Sequence, residues 1–82
     1  MLPERPVIFM KPTSTVTNPG EAIQVPSLEH GEETDFEVEL AVVIGRPARN
    51  VAKADALSYV AGYTVANDVS GRYWQRNAGG GQ

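Results

Sequence analysis

The segment formed by residues 34–45, TDFEVELAVVIG, constrains the fold most, because it is the longest strand-like run in the sequence. In a β-strand, successive side chains point to opposite faces. One face of this segment then carries only apolar side chains: Phe36, Val38, Leu40, Val42 and Ile44. The other face carries a mixed set: Asp35, Glu37, Glu39, Ala41 and Val43. The pattern therefore predicts a single strand with one apolar side and one acidic side.

The acidic side of this strand is open to two interpretations. Glu37 and Glu39 would lie roughly 6 to 7 Å apart at Cα, because a strand rises about 3.3 Å per residue. Two ionised carboxylates at that distance repel each other unless water screens them or a cation lies between them. The acids are therefore either a solvated face or part of a metal site, and the strand pattern alone favours the solvated face.

The rest of the chain reads as short strands with one helix. Strands are predicted at residues 7–10, 22–25 and 63–69, and a helix at residues 50–60 that Asn50 could cap. Residues 13–20 are predicted to form a loop, with a tight turn at Asn18, Pro19 and Gly20. The predicted fold class is mainly β with a short helix (α+β), in one domain over residues 1–82.

Composition excludes several classes of function. The chain has 82 residues and a net charge of −3, so it has no basic field to attract nucleic acid or an anionic membrane. It has no cysteine, so a metal would have to be bound by oxygen atoms or by His30. The longest apolar run, residues 40–44, is far too short to span a membrane.

Three carboxylates form the strongest candidate site. Glu37, Glu39 and Asp68 come from two predicted strands and would converge if those strands were neighbours. Hard cations such as Mg²⁺, Mn²⁺ and Ca²⁺ take oxygen ligands and leave positions for an oxygen-rich substrate. Arg72 and Gln75 follow three residues apart, so one helical turn would place both beside a ligand near Asp68.

Other polar residues have simpler interpretations. Lys11 could neutralise an anionic ligand, but an exposed lysine at a strand end is the favoured interpretation. His30 is assigned no role, and the glycines at 79–81 suit a flexible linker better than a phosphate cradle. Tyr73 and Trp74 are expected to pack against the protein, since the acidic charge balance disfavours nucleobase stacking.

Five blocks, taken in order, closely resemble the fumarylacetoacetate hydrolase family: FMKPTSTVTNPGEAIQVP, DFEVELAVVIG, ARNV, DALSYVAGYTVANDVSGRYWQ and GGGQ. The resemblance implies that Glu37, Glu39 and Asp68 bind Mg²⁺ or Mn²⁺, with Ca²⁺ as an alternative. It also implies that Arg72 and Gln75 contact substrate. Asp35 is left as a solvated neighbour. Two positions depart from the family pattern: Gly71 stands where alanine is usual and Tyr73 where an acid is frequent.

The same resemblance implies a function. Family members act on small 2-oxo or 1,3-dioxo acids by C–C bond hydrolysis, decarboxylation or enol–keto isomerisation, with a divalent cation as Lewis acid. The implied fold is part of a mixed β-sandwich roll, with a homodimer as one assembly to expect and the cytoplasm or mitochondria as location.

The resemblance also limits what this chain is expected to do alone. The family's proton-handling His and Glu lie upstream of the FxKP block and its Lys follows the Gly-Gln block, so no catalytic residue is expected within residues 1–82. Glu4 and His30 stand in the wrong places to replace the His and Glu. The expected identity is the N-terminal part of a hydrolase or lyase domain, with a non-catalytic metal-binding or structural unit as the alternative.

Overall fold

The computed structural model of the chain describes residues 2–27 and 30–77. Among these residues, four strands and one α-helix lie between positions 34 and 77: β1 (Thr34–Asp35), β2 (Val38–Ile44), β3 (Val60–Asn67), β4 (Ser70–Gly71) and α1 (Arg72–Asn77). Three 3₁₀ segments complete the regular structure, at Thr13–Thr15, Gly31–Glu33 and Lys53–Tyr59. Strands with one short α-helix agree with the predicted α+β class, whereas the sandwich roll stays a prediction.

Strands β2 and β3 form an antiparallel ribbon. Glu39 lies opposite Ala66 and Leu40 opposite Val65, so the alternation of faces predicted for this part of the sequence is confirmed. Leu40 and Val65 share the apolar face, while Glu39 lies on the face with small and polar partners. A register shift at Val43 and Ile44 marks the end where the ribbon leads into the connecting segment.

The segment 34–45 is not one strand, as the sequence pattern predicted, but two. Strand β1 pairs antiparallel with β4, Thr34 opposite Gly71 and Asp35 opposite Ser70. Between β1 and β2 the backbone leaves strand geometry at Phe36 and Glu37, and between β3 and β4 at Asp68 and Val69. The two strand pairs therefore form one long hairpin that is interrupted at two of the three predicted metal ligands, Glu37 and Asp68.

The strands predicted at residues 7–10 and 22–25 are wrong. Both segments are irregular and exposed, and among the described residues neither pairs with another strand. Their apolar residues suit a strand, but a strand needs a hydrogen-bonding neighbour as well as a suitable side-chain pattern. The turn predicted at residues 18–20 is confirmed: Gly20 has a φ of 81°, and Glu21 N donates to Asn18 O over 3.2 Å.

The helix predicted at residues 50–60 is shorter and of another type. A 3₁₀ segment covers Lys53–Tyr59 instead. Asn50 has a left-handed φ of 51° and Ala52 has an extended backbone, so the helical segment starts after both residues and Asn50 does not cap it. Arg46 stabilises this segment from outside. Its Nη2 donates to Ser58 Oγ over 3.0 Å and its guanidinium lies 3.9 Å from the centre of the Tyr59 ring.

Apolar side chains in the described part of the chain are all at least partly exposed. No hydrophobic side chain there is buried, and Val38, Leu40 and Val65 on the apolar face of the ribbon are each exposed by more than 70%. Within the described residues, no other segment therefore covers the apolar face of the ribbon. The ribbon is supported by its backbone ladder and by polar contacts at its interrupted end.

Gly45 offers a direct test of close packing at the other end of the ribbon. A Cβ at this position would lie 2.8 Å from Ala61 Cβ and 3.3 Å from Ala61 Cα, so Gly45→Ala should lower the free energy of unfolding by about 1–3 kcal/mol. Gly62→Ala is the matched control, because a Cβ there meets no atom within 4 Å. Thermal unfolding of the two variants measures the difference, and equal melting temperatures would contradict the packing described.

Candidate metal centre

Three carboxylates converge where the hairpin is interrupted. Glu37, Glu39 and Asp68 each offer a carboxylate oxygen, and these atoms all lie within 4.8 Å of one another. The side chain of Asp68 is 12% exposed and that of Glu37 is 23% exposed, so the cluster is partly shielded from water. The structure thus brings together the three residues singled out in the sequence. Their roles as metal ligands stay a prediction.

The backbone at the interruption fixes the positions of two of the acids. Asp68 N donates to Glu37 O over 2.8 Å, which continues the hairpin ladder across the break. Glu37 N donates to the side-chain oxygen of Asn67 over 3.0 Å, so an amide side chain stands in for a strand carbonyl. Ser70 Oγ donates to Asp68 O over 3.0 Å. Sequence analysis did not identify Asn67 as a positioning residue.

Arg72 binds Glu37 from the start of helix α1. Its Nη1 donates to Glu37 Oε1 over 2.5 Å and to Gln75 Oε1 over 2.9 Å, while its Nε donates to Asp35 Oδ2 over 3.2 Å. These hydrogen bonds, first to Asp35 and then to Glu37, raise the pKa of Arg72 above its ordinary value.

Helix α1 therefore brings Arg72 and Gln75 together as the sequence spacing predicted. Asp35 is not a simple solvated neighbour, as expected from the sequence, because it shares the guanidinium of Arg72 with Glu37. The sequence spacing of Asp35, Glu37 and Arg72 could not predict this ion pair, because Arg72 is brought to the two acids by the pairing of β1 with β4. The substrate contacts predicted for Arg72 and Gln75 are not tested by this geometry.

Lys11 reaches the cluster from the N-terminal segment. Its ammonium forms an ion pair with Asp68 Oδ1, which is buried and receives no hydrogen bond of regular geometry. The sequence-based interpretation favoured a simple exposed lysine, and the side chain is indeed 48% exposed, but its charged end lies in the candidate site. Lys11 is 57 positions from Asp68 in the sequence, and no local sequence pattern predicts a contact over that separation.

The pKa of Glu39 is raised above its ordinary value of 4.5 by its surroundings. Partial loss of water around the carboxyl group is the largest cause, followed by the negative charge of Asp68 and by a hydrogen bond and the charge from Glu37. The positive charge of Lys11 acts in the opposite direction. The ionised form of Glu39 is therefore disfavoured first by loss of water and then by the negative charge around it.

A cavity of about 530 Å³ opens over the cluster. Six of its lining residues are polar or aromatic groups that bear on the chemistry: Lys11, Glu37, Glu39, Asp68, Trp74 and Gln75. Three carboxylates beside an open space are the donor set that Mg²⁺, Mn²⁺ and Ca²⁺ prefer. The residues present therefore fit a hard divalent cation with room left for a small ligand.

A second group of potential ligands is already engaged by other side chains. His30, Glu32 and Glu33 also offer atoms within 4.8 Å of one another, but Glu33 accepts a hydrogen bond from Arg76 Nη2 over 2.5 Å. The His30 ring stacks on Tyr73 with centroids 3.4 Å apart. Sequence analysis assigned His30 no role and missed this stack.

Trp74 completes this aromatic group. Its ring meets His30 and Tyr73 edge-on, with centroids 5.8 and 5.0 Å away. The two rings predicted to pack do contact each other and His30, although Trp74 stays 54% exposed. The glycines at 79–81, predicted to form a linker, lie outside the described residues.

Within residues 2–27 and 30–77, no helix has the length and apolar character needed to cross a membrane. A protein-family model described as fumarylacetoacetate (FAA) hydrolase C-terminal matches residues 1–82. No solved structure matches the chain significantly.

Several curated proteins are similar to the chain. A fumarylacetoacetate hydrolase domain-containing protein 2 homolog from Dictyostelium discoideum is 50% identical over 74 residues, covering 90% of this chain and 24% of the relative. A putative hydrolase from Burkholderia multivorans is 51% identical over 79 residues, covering 96% and 27%. Oxaloacetate tautomerase fahd2, mitochondrial, from Xenopus laevis is 44% identical over 81 residues, covering 99% and 25%. The chain thus spans about a quarter of the length of these relatives.

Glu39→Gln tests the crowding of charge through its pH dependence. A carboxyl group with a raised pKa binds its proton more tightly in the folded protein, so its contribution to stability is present at low pH and is lost as pH rises through that pKa. Without added metal, Glu39→Gln should therefore be more stable than the wild type at pH 7. The difference should shrink as pH falls through the raised pKa of Glu39, and it should be largely gone below a pH of about 4.5.

Glu21→Gln is the control with the opposite sign, because hydrogen bonds from Thr17 and Asn18 lower the pKa of Glu21. That variant should be less stable than the wild type at pH 7, and its deficit should shrink as Glu21 becomes protonated at low pH. Thermal unfolding across pH measures both variants. A Glu39→Gln variant less stable than the wild type at pH 7 would contradict the described crowding.

Asn67→Ala tests the side chain that replaces a strand carbonyl. The variant removes the acceptor of Glu37 N, so it should lower the free energy of unfolding by about 1 kcal/mol and speed hydrogen exchange at the Glu37 amide. Asn77→Ala is the control, since it removes an asparagine hydrogen bond to Tyr73 O at the end of helix α1. Unchanged exchange at Glu37 in Asn67→Ala would rule out the positioning role.

Proposed function

Because the chain belongs to the fumarylacetoacetate hydrolase family, we propose that it forms the metal-binding part of an enzyme that acts on small 2-oxo or 1,3-dioxo acids. Glu37, Glu39 and Asp68 would bind Mg²⁺ or Mn²⁺, with Ca²⁺ as an alternative. The observation that carries the proposal is the convergence of these three carboxylates beside an open cavity. A bound divalent cation would supply Lewis-acid catalysis, polarising the oxygen atoms of the oxo acid.

The protein's own residues would prepare the site for that cation. Arg72 orients the carboxylate of Glu37 and screens part of its charge, and the backbone ladder places Asp68 opposite Glu37. The partial burial of Asp68 strengthens its interaction with a cation, because water competes less there. These features favour a site whose ligands are already positioned before the metal binds.

Gln75 and Arg72 are the proposed substrate-binding residues. The Gln75 oxygen accepts from Arg72, so the amide nitrogen of Gln75 is the end that would donate to an oxo-acid oxygen in the cavity. Arg72 adds positive charge beside the cavity, which would attract a substrate carboxylate. Its guanidinium is shared among three side-chain oxygens, so we propose that its contact with substrate accompanies its bond to Glu37.

The chemistry of such acids and the names of the relatives support the proposed reaction class. Hydrolysis of a C–C bond, decarboxylation and enol–keto isomerisation each pass charge to the oxygen atoms that a cation would hold. The Burkholderia relative is named a putative hydrolase and the Xenopus relative an oxaloacetate tautomerase, and the latter is also named mitochondrial. We propose an activity within this range, in the cytoplasm or mitochondria, with a homodimer as the assembly.

A second candidate function is a non-catalytic metal-binding unit that depends on further protein surface. The observation in its favour is that no hydrophobic side chain is buried among the described residues. Such a unit would bind the same cation through the same carboxylates without turning over substrate. Metal binding and turnover therefore have to be measured separately.

Metal binding is tested by thermal unfolding of the full natural polypeptide that contains these residues. Mg²⁺ or Mn²⁺ at 100 times its Kd should stabilise the folded state by about 2.7 kcal/mol, because only the folded state assembles the ligands. The double variant Glu37→Gln, Glu39→Gln should lose this stabilisation. Glu32→Gln is the matched control, since it removes one charge from the second group of potential ligands.

An equal metal response in all of these proteins would reject the proposed centre. A response lost in Glu32→Gln and kept in the double variant would place the metal at the second group instead.

Turnover is tested with oxaloacetate and an acylpyruvate in the presence of Mg²⁺ or Mn²⁺. We expect enol–keto exchange, decarboxylation or C–C cleavage of one of these acids, abolished by chelation and lowered at least tenfold in Gln75→Ala. Metal binding without any turnover would favour the non-catalytic unit. Full activity in the Glu37→Gln, Glu39→Gln variant would refute the catalytic proposal.

A further inference from the structure

The acidic cluster contains its own positive charge. Lys11 lies in an irregular segment of the chain, yet its ammonium meets Asp68 Oδ1 inside the cavity that the three carboxylates line. The stem of the lysine is partly exposed, and the carboxylate that it meets is the most buried side chain of the cluster. The contact therefore differs from a chance surface ion pair, because the ammonium of Lys11 lies in the candidate metal centre itself.

The two basic residues at the cluster hold different acids. Arg72 pairs with Glu37 through a guanidinium that is also bonded to Asp35 and Gln75, so it is anchored on helix α1 at the edge of the site. Lys11 pairs with Asp68, and its partner atom belongs to a carboxylate that a cation at the cluster would use. Arg72 therefore positions a ligand, whereas Lys11 stands where a cation would bind.

We propose that Lys11 is an internal counterion that competes with the divalent cation for Asp68 and thereby weakens metal binding at the cluster. The inference rests on the proposed metal centre and adds to it a residue that sets its affinity. An ammonium and a divalent cation repel each other, so an ammonium paired with the Asp68 carboxylate opposes a cation bound to the same group. Metal binding then requires Lys11 to move away from Asp68.

The position of Lys11 makes such an exchange feasible. The lysine lies outside the β ribbon and helix, and 48% of its side chain is exposed, so its long flexible stem can turn toward solvent without disturbing β2 or β3. When the ammonium leaves, the three carboxylates lose their neutralising charge and the cation replaces it. The lysine thus keeps the metal-free cluster from collecting unbalanced negative charge.

The test measures the Kd of Mn²⁺ by isothermal titration calorimetry in the full natural polypeptide that contains these residues. Lys11→Met should bind Mn²⁺ about fivefold more tightly than the wild type, and Lys11→Arg should restore weak binding because it keeps the charge. Lys53→Met is the matched control: it removes the other lysine of this sequence, which lies in the exposed 3₁₀ segment. High salt should reduce the difference between Lys11→Met and the wild type.

A second measurement covers the case in which the variant is less stable. In a chelator, Lys11→Met should melt at a lower temperature than the wild type, yet saturating Mn²⁺ should raise its melting temperature by more. The inference is supported if Lys11→Met binds Mn²⁺ more tightly than both the wild type and Lys53→Met. This holds even when Mn²⁺ binding by the wild type is too weak to detect. Equal or weaker binding by Lys11→Met overturns it.

These outcomes separate the inference from the proposed centre. Wild-type binding that depends on Glu37 and Glu39, with no change in Lys11→Met, would retain the metal centre and reject the role of Lys11. Absence of binding in both the wild type and Lys11→Met would reject both.

Discussion

The hydrogen bond from Asp68 N to Glu37 O is the contact on which the candidate site depends. It joins the two halves of an interrupted hairpin, and Asn67 supports it by accepting the Glu37 amide with its side chain. Strand alternation places Glu37 and Glu39 on the same face, and the bond across the interruption keeps Asp68 opposite Glu37. The three carboxylates therefore meet in one space.

Concentrating three carboxylates in that space has an electrostatic consequence for the rest of the chain. Like charges at such distances destabilise the folded state unless opposite charges lie nearby. Arg72 and Lys11 supply them from a helix and from the irregular N-terminal segment, so parts of the chain far apart in sequence meet at one point. Polar contacts at the site thereby organise segments that no buried apolar core holds within the described residues.

Local patterns predicted the alternation of faces in β2, a strand overlapping β3, the turn at Gly20 and the helical spacing of Arg72 and Gln75. Neighbours in sequence determine alternation, turn chemistry and helical periodicity. Strands at residues 7–10 and 22–25 were predicted wrongly because pairing depends on a distant partner. The single strand predicted at residues 34–45 was wrong for the same reason, because β1 and β2 pair with different strands. The helix predicted from Asn50 starts later because Asn50 has a left-handed φ. The sequence pattern singled out the three acids and family resemblance implied their role as metal ligands, whereas the contacts of Lys11, Asp35 and Asn67 required the fold.

Trp74 is the only tryptophan in residues 1–82, and it lies next to the candidate site without a proposed role in its chemistry. The indole lines the cavity on one side and touches the stacked rings of His30 and Tyr73 on the other. We therefore expect its emission spectrum to change with the polarity of the cavity and with the position of helix α1, so that filling of the cavity would have an intrinsic optical signal.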